Sequence, residues 1–328
     1  MAELNILEAI RLAMDEEMER DPNVMLLGED VGRKGGVFGA TEGLWAKYGD
    51  KRVLDTPLSE ALIAGAATGA AIYGLRPVAE MQFADFVYPA FNQIVSEISR
   101  LRYRSNNTFG LPMVIRMPYG GGVHGALYHS QSNETYFTST VGLKVVAPGT
   151  PADAKGLLKA SIRDPDPVIF FEHKKVYRLF RADVPDGDHV VPIGRADVAR
   201  PGKHLSIICY GYMRICALEA AETLAREDGL EAEVVDLRTL RPLDTDTVLA
   251  SVAHTGRALV VHEANRFGGF GAEVAATIAE LGFDSLDAPV TRLAGPEVPG
   301  VPYHHNLEDW FMLNPAKIVE AARSLAAY

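Results

Sequence analysis

Glu60 is the residue whose setting points first to chemistry. It closes the stretch Leu54-Asp55-Thr56-Pro57-Leu58-Ser59-Glu60 and opens an uncharged run over residues 61–75. A helix that is apolar all round must be covered all round. Glu60 is then carried to the edge of a dry interior, where a carboxylate needs a partner or a proton. The simpler reading is a first-turn acid favoured by the helix dipole, a contribution of a few tenths to about 1 kcal/mol. Gly65 and Gly69, four apart on one face, let another backbone come close. That neighbour is either a sheet of the same domain or a second subunit.

Four further constellations stand out. Glu80-Met81-Gln82-Phe83-Ala84-Asp85-Phe86 lies where a strand gives way to a loop. Open parallel sheets bind ligands at such carboxyl ends. An aromatic ring there covers a planar ligand and Gln82 hydrogen-bonds it, although either phenylalanine alone reads as a core aromatic. The run from Tyr119 to Ser132 holds Gly120, Gly121, Gly122 and Gly125 with His124 and His129. Ordering such a loop is costly unless it does something. Its histidines suit proton donation near neutral pH, and no phosphate-loop motif with a terminal Gly-Lys-Ser/Thr is present. Ser161-Ile162-Arg163-Asp164-Pro165-Asp166-Pro167 pairs helix-end carbonyls with acids, a composition that suits a cation; a plain proline stop is the simpler account. Phe267-Gly268-Gly269-Phe270-Gly271-Ala272-Glu273 is an imperfect dinucleotide fingerprint without an assignable ribose-binding acid, and it reads better as a tight turn with close helix packing.

Positioning these residues requires a scaffold, and the pattern predicts one. Asn5 caps a helix over 6–20. Strand-like runs at Val24-Met25-Leu26-Leu27, Pro77-Val78-Ala79-Glu80-Met81, Met113-Val114-Ile115-Arg116, Lys144-Val145-Val146-Ala147 and Val168-Ile169-Phe170-Phe171 alternate with helices over 88–104 and from Thr150-Pro151. The expected fold class is α/β, with a parallel sheet covered by helices. Residues 181–203 carry three prolines and three glycines among charges and read as a linker with one short strand at His189-Val190-Val191. Strands at 205–209, 233–237 and 259–262, with helices over 213–227, 244–254, 270–281 and 314–326, make a smaller second α/β domain. The expected division is 1–180, a linker over 181–203, and 204–328.

The 328 residues carry a net charge of −11, from 32 basic and 43 acidic side chains, and no basic tract. Nucleic acid and anionic membranes are poor partners for such a chain, and no run reaches bilayer-spanning length. Cys209 and Cys216 are the only cysteines. They make neither a disulfide framework nor a metal cluster and suit a reducing compartment. With no signal-peptide pattern at the start, a soluble, cytoplasmic protein is expected.

Taken together, these blocks resemble the β subunit of the thiamine-diphosphate-dependent decarboxylating component of 2-oxo acid dehydrogenase complexes. The resemblance spans nearly the whole chain, from Leu27-Gly28-Glu29-Asp30-Val31-Gly32 through Asp55–Glu60 and Gln82-Phe83-Ala84-Asp85 to Gly142–Val146, Asp153–Leu158 and Val235–Leu240. The block His124–Ser132 is closer to the branched-chain type than to the pyruvate type; pyruvate and acetoin dehydrogenase β subunits remain alternatives. The resemblance implies a pyrimidine-binding, transketolase-like first domain and a transketolase C-terminal-like second domain. It implies that Glu60 hydrogen-bonds the pyrimidine ring of thiamine diphosphate, that Phe86 packs against that ring with Gln82 beside it, and that Leu58 helps hold the cofactor's bent conformer. His129 matches a histidine that assists acyl transfer to a lipoyl arm. Ser161, Ile162, Asp164 and Asp166, with Met113 nearby, match a structural potassium site.

The Gly-Asp-Gly motif and following asparagines that hold magnesium and diphosphate in such enzymes are missing; Gly49-Asp50 and Gly187-Asp188 lack the continuation. The chain therefore supplies the pyrimidine half of a site. The resemblance places the diphosphate and its magnesium on a separate α chain in an α2β2 heterotetramer that serves a lipoyl-bearing acyltransferase core. Two other classes compete: a nicotinamide-dependent dehydrogenase built on the second domain, and a non-catalytic subunit that only completes an interface.

Overall fold

A computed structural model describes residues 1–328. They form two compact units, Met1–Tyr119 with Tyr136–Ile193, and Gly120–Thr135 with Gly194–Tyr328. No helix is long and apolar enough to cross a membrane.

In the first unit six parallel strands run in the order Lys144–Val146, Val168–His173, Val114–Tyr119, Arg76–Glu80, Val24–Gly28 and Val53–Asp55. Strands Val24–Gly28, Val114–Tyr119 and Val168–His173 are buried from end to end, as a parallel sheet covered on both faces demands. The chain passes from Val24–Gly28 to a neighbour on one side, Val53–Asp55, and then to Arg76–Glu80 on the other. That reversal makes a switch point, and its carboxyl edge is in register: Gly28 stands opposite Asp55 and Glu80, and Glu80 opposite Arg116. Helix Ile6–Arg20 begins with a reciprocal cap, since the Glu8 N–H donates to Asn5 Oδ1 at 2.9 Å and the Asn5 N–H to Glu8 Oε2 at 3.0 Å.

Two expectations need correction. The helix read over 88–104 is a succession of short helical pieces, Tyr88–Ala90, Gln93–Glu97 with a wide π turn, Ile98–Arg100 and Leu101–Arg104. Pro89 supplies no N–H, and the Ser99 hydroxyl donates back to the Val95 carbonyl at 2.9 Å. The Ser99 carbonyl is turned against Gly142, where a Cβ would stand 2.0 Å away. In the segment 181–203 no strand forms at His189-Val190-Val191. Instead Ala182–Val184 pairs antiparallel with Ala2–Leu4 in the first unit, and Asp197–Arg200 pairs antiparallel with Ala232–Asp236 in the second. Val191 is buried against Gly156, where a Cβ would meet its Cγ2 at 2.5 Å.

The second unit has strand order Thr291–Gly295, Ala258–Asn265, Leu205–Cys209, Ala232–Asp236, Asp197–Arg200, parallel except for the last. Helices Tyr212–Asp228, Thr245–Thr255, Phe270–Leu281 and Pro315–Ala326 belong to it, close to the expected spans. The glycine run before Phe270–Leu281 has a packing cause. A Cβ on Gly269 would come 2.6 Å from His262 Cε1, and one on Gly271 would come 2.3 Å from His262 Cδ2. The glycines let the helix close over a histidine that is fully buried, with neither ring nitrogen hydrogen-bonded.

Two buried groups of this unit give opposing pH dependences. Burial takes His262 from 6.5 down to about 4, so its neutral form belongs to the folded state. The stability it contributes is complete above pH 6.5 and is lost as pH falls toward 4. Burial takes Glu134 from 4.5 up to about 7, with Glu263 adding to the rise. Its contribution is complete below pH 4.5 and is lost as pH rises through 7. Each amounts to about 3 kcal/mol, so the two nearly offset each other across the shared window. Glu134→Gln removes one of them. Denaturation at several pH values is expected to show variant-minus-parent stability rising by about 3 kcal/mol between pH 4.5 and 7; a difference independent of pH would contradict the assignment.

Candidate active site

The helix Glu60–Ile72 follows directly from the edge strand Val53–Asp55. Ser59, in extended conformation, caps it by accepting the Leu62 N–H at 3.4 Å. Glu60 is 8% exposed, and its carboxylate makes no hydrogen bond or ion pair within the chain. Its oxygens are not closed off from solvent within this chain. Glu29, at the end of the neighbouring strand, is raised above its ordinary range by burial and by the charges of Asp30 and Glu60. The carboxyl edge of the sheet thus gathers negative charge that no side chain of this unit neutralises at Glu60.

The helix itself is not covered all round by its own chain. Ile63, Ala64, Ala67 and Ala71 face inward, whereas Leu62, Gly65, Ala66, Gly69, Ile72 and Tyr73 are exposed. No atom lies within 4 Å of a Cβ built on Gly65 or Gly69, so the two glycines serve no contact with the sheet. Leu58, ahead of the helix, is 74% exposed.

The next strand, Arg76–Glu80, leads into Gln82, Phe83 and Phe86, all half-buried. Phe86 meets Phe83 edge-on at 5.3 Å, Phe83 meets Phe38 at 5.4 Å, and Phe38 meets Tyr177 at 5.3 Å between centroids. Beneath these rings lies a buried ion cluster. Arg116 donates to both Glu172 oxygens at 2.6 and 2.9 Å and to Glu80 Oε2 at 2.7 Å, and the Tyr177 hydroxyl donates to Glu172 at 2.6 Å. Burial, with Glu172 adding, pushes Glu80 up against the pull of Arg116. Sequence reading singled out Glu80 only for its place in a motif. The cluster itself was hidden because Arg116 and Glu172 look like breaks in apolar strands until register sets them side by side.

His129 lies in the second unit. Its loop belongs to the compact unit that contains Gly194–Tyr328. The base of the loop is closed by the Gly120 N–H on the Gln131 carbonyl at 2.9 Å. Glu263 accepts from the Gly121 N–H at 2.7 Å and the Ser132 hydroxyl at 3.0 Å. Glu308 accepts from the N–H groups of Gly122 and His124 at 3.0 and 3.1 Å, and His124 Nδ1 stands 2.5 Å from its other oxygen. Neither acid was found from sequence, since each lies more than 130 residues from the loop it holds.

Ser161, Ile162, Asp164 and Asp166 lie at the end of helix Pro151–Arg163 with cationic side chains around them, and the Met113 carbonyl accepts the Val168 N–H at 3.0 Å. Lys144 donates to both Asp164 carboxylate oxygens at 2.7 and 2.6 Å, and Arg102 donates to Asp166. Arg76 donates to the Ile162 and Asp164 carbonyls at 2.8 and 3.4 Å. The carboxylates are thereby committed, and what remains for a cation is the second lone pair of each main-chain oxygen. Asp188 of the Gly187-Asp188 pair is likewise engaged, by Arg163 at 3.0 Å and Lys159 at 2.9 Å, which hold it well below the usual carboxylate range. No group of three or more His, Cys, Asp or Glu side chains is placed to hold a metal ion.

Comparison with known proteins bears on the family and the fold. Residues 2–179 match the pyrimidine binding domain of transketolase and residues 194–318 the transketolase C-terminal domain. The chain is 56% identical to the 2-oxoisovalerate dehydrogenase subunit beta of Bacillus subtilis strain 168, over 100% of both chains. It is 47% identical to the pyruvate dehydrogenase E1 component subunit beta of the same organism, again over 100% of both. A solved structure described as a split-gene transketolase, an inactive β4 tetramer, superposes with a TM-score of 0.79 over 99% of each chain at 24% identity, a likeness of fold.

Proposed function

The chain belongs to the β-subunit family of the 2-oxo acid dehydrogenases, and from that premise we propose that it carries the pyrimidine half of a thiamine diphosphate site for decarboxylating branched-chain 2-oxo acids. The observation that carries the reading is Glu60, buried at a helix start with no partner of its own. Such a carboxylate fits a ring nitrogen brought by a ligand. Branched-chain substrates are favoured over pyruvate by the greater identity to the 2-oxoisovalerate subunit.

When bound, thiamine diphosphate supplies the electron sink that lets carbon dioxide leave a 2-oxo acid. Glu60 hydrogen-bonds the pyrimidine, and its low-dielectric setting strengthens that bond. The Phe83–Phe86 pair offers an aromatic edge for the ring, Gln82 a polar neighbour, and Leu58 an apolar stop. His129 moves a proton as the acyl group passes to a lipoyl arm. The diphosphate and its Mg2+ fall to an α chain, and the exposed face of the Glu60 helix suits burial against a subunit in an α2β2 assembly. Potassium at Met113, Ser161, Ile162, Asp164 and Asp166 belongs to the same reading, held by carbonyl oxygens at the helix end. A higher melting temperature in potassium than in sodium buffer checks it, and equal melting would remove it.

The test of function is reconstitution with a candidate α chain and assay across 2-oxo acids. Faster decarboxylation of branched-chain acids than of pyruvate is expected. Preference for pyruvate or acetoin would move the assignment within the family, and reduction of a nicotinamide by this chain alone would move it to another class.

A further inference from the structure

Two buried carboxylates converge on one loop of the second unit. Glu263, at the end of strand Ala258–Asn265, holds Gly121 and Ser132, the two ends of the loop. Glu308, on helix His305–Phe311 and 1% exposed, holds its middle through Gly122 and His124. The backbone between them is strained in a way that needs holding. His124 and Ala126 have φ of +57° and +55°, a region that side-chain-bearing residues avoid. Apolar contacts add to the hold. A Cβ on Gly121 would meet Met312 Sδ at 2.8 Å, and one on Gly300 would meet Leu127 Cδ2 at 2.4 Å. A hairpin needing only to be ordered would not require two desolvated acids, each costly to bury unless its donors are fixed. The donors they fix are the N–H groups of Gly121, Gly122 and His124 ahead of His129 and the Ser132 hydroxyl beyond it.

We propose that Glu263 and Glu308 are positioning residues: a two-carboxylate clamp that sets the Gly120–Ser132 loop, and with it His129, for acyl transfer to the lipoyl group. The proposal rests on the reading of His129 given above. Glu308 acts through His124 and two main-chain amides, so its effect falls on the transfer step and not on carbon dioxide release.

The experiment uses enzyme reassembled with its α chain and compares Glu308→Ala, Glu308→Gln and His129→Ala. Decarboxylation is read with an artificial electron acceptor, acyl transfer with a lipoyl domain, and the loop by amide hydrogen exchange. Glu308→Ala is expected to slow transfer by about 10- to 100-fold, the usual effect of losing a group that orients a functional residue. Decarboxylation should stay within about threefold of the parent. Exchange at Gly122 and His124 should accelerate about tenfold or more, as it does when a protecting hydrogen bond opens. Glu308→Gln, whose amide oxygen still accepts the two N–H groups, should recover much of both. Transfer and loop exchange unchanged in Glu308→Ala would overturn the clamp, as would an equal fall of both chemical steps. If Glu308→Ala fails to assemble, Glu308→Met, which keeps the volume and removes the accepting oxygens, decides by the same split. If His129→Ala leaves transfer intact, the role of His129 fails by itself, and loop exchange in the Glu308 variants still decides whether the clamp exists.

Discussion

In enzyme reassembled with its α chain, Glu60→Gln is expected to lose decarboxylation by about 10²- to 10⁴-fold, the range general acid–base groups contribute. The subunits should still assemble. Glutamine has nearly the shape of glutamate, so packing at the start of Glu60–Ile72 is preserved, as is the Ser59 cap. What changes is charge and proton affinity at one oxygen. In the parent, Glu60 is buried without a partner beside a second acid, Glu29, already pushed up. Glu60 makes no hydrogen bond or ion pair within this chain that the amide would lose. The variant should therefore be no less stable than the parent in the absence of cofactor, which separates this loss of activity from misfolding. Near-normal turnover with intact assembly would remove the role and favour a subunit that only completes an interface.

The second large effect is structural. Arg116→Met leaves Glu80 and Glu172 buried together without the guanidinium that joins them. Removing one partner of a buried ion cluster costs about 3–5 kcal/mol, a fall in the melting temperature on the order of 10 °C for a unit of this size. The sign of the pH dependence is fixed. With Arg116 gone, Glu80, already pushed up by burial, loses the charge that opposes the rise, so the variant should regain stability as pH falls toward the usual carboxylate range. Thermal melting at pH 5 and pH 8 checks this; a gap from the parent that stays constant with pH would contradict it. The aromatic relay from Tyr177 through Phe38 to Phe83 and Phe86 predicts that the same variant also weakens cofactor binding.

The fold was legible wherever local signals agreed. Asn5 announced a capped helix, Thr150-Pro151 another, and the β-branched runs marked the central strands, though Val114–Tyr119 and Ala258–Asn265 run three residues further and the edge strands Val53–Asp55 and Thr291–Gly295 gave no such signal. Glu60, Gln82 and Phe86 were singled out because they sit at ends of elements, where a change of pattern is visible in the chain itself. The clamp acids were not, because Glu263 and Glu308 read as ordinary members of a strand and a helix, and only the fold brings them to the loop. The helix pieces over 88–104 escaped for a related reason: the Ser99 carbonyl lies against Gly142, more than forty positions on, a closeness the local pattern does not carry. The uncharged run after Glu60 was read as a helix needing cover from its own sheet or from a second subunit; this chain covers one face and leaves Leu62, Gly65, Gly69, Ile72 and Tyr73 exposed, because a subunit outside the chain leaves no local signal of where it would sit.

The sharing of the site between chains is tested by calorimetric titration with thiamine diphosphate and Mg2+, first of this chain alone and then of the chain with its α partner. No saturable binding is expected for the chain alone, and saturable binding with decarboxylation is expected for the pair. Saturable uptake of the cofactor and turnover by this chain without a partner would contradict the account.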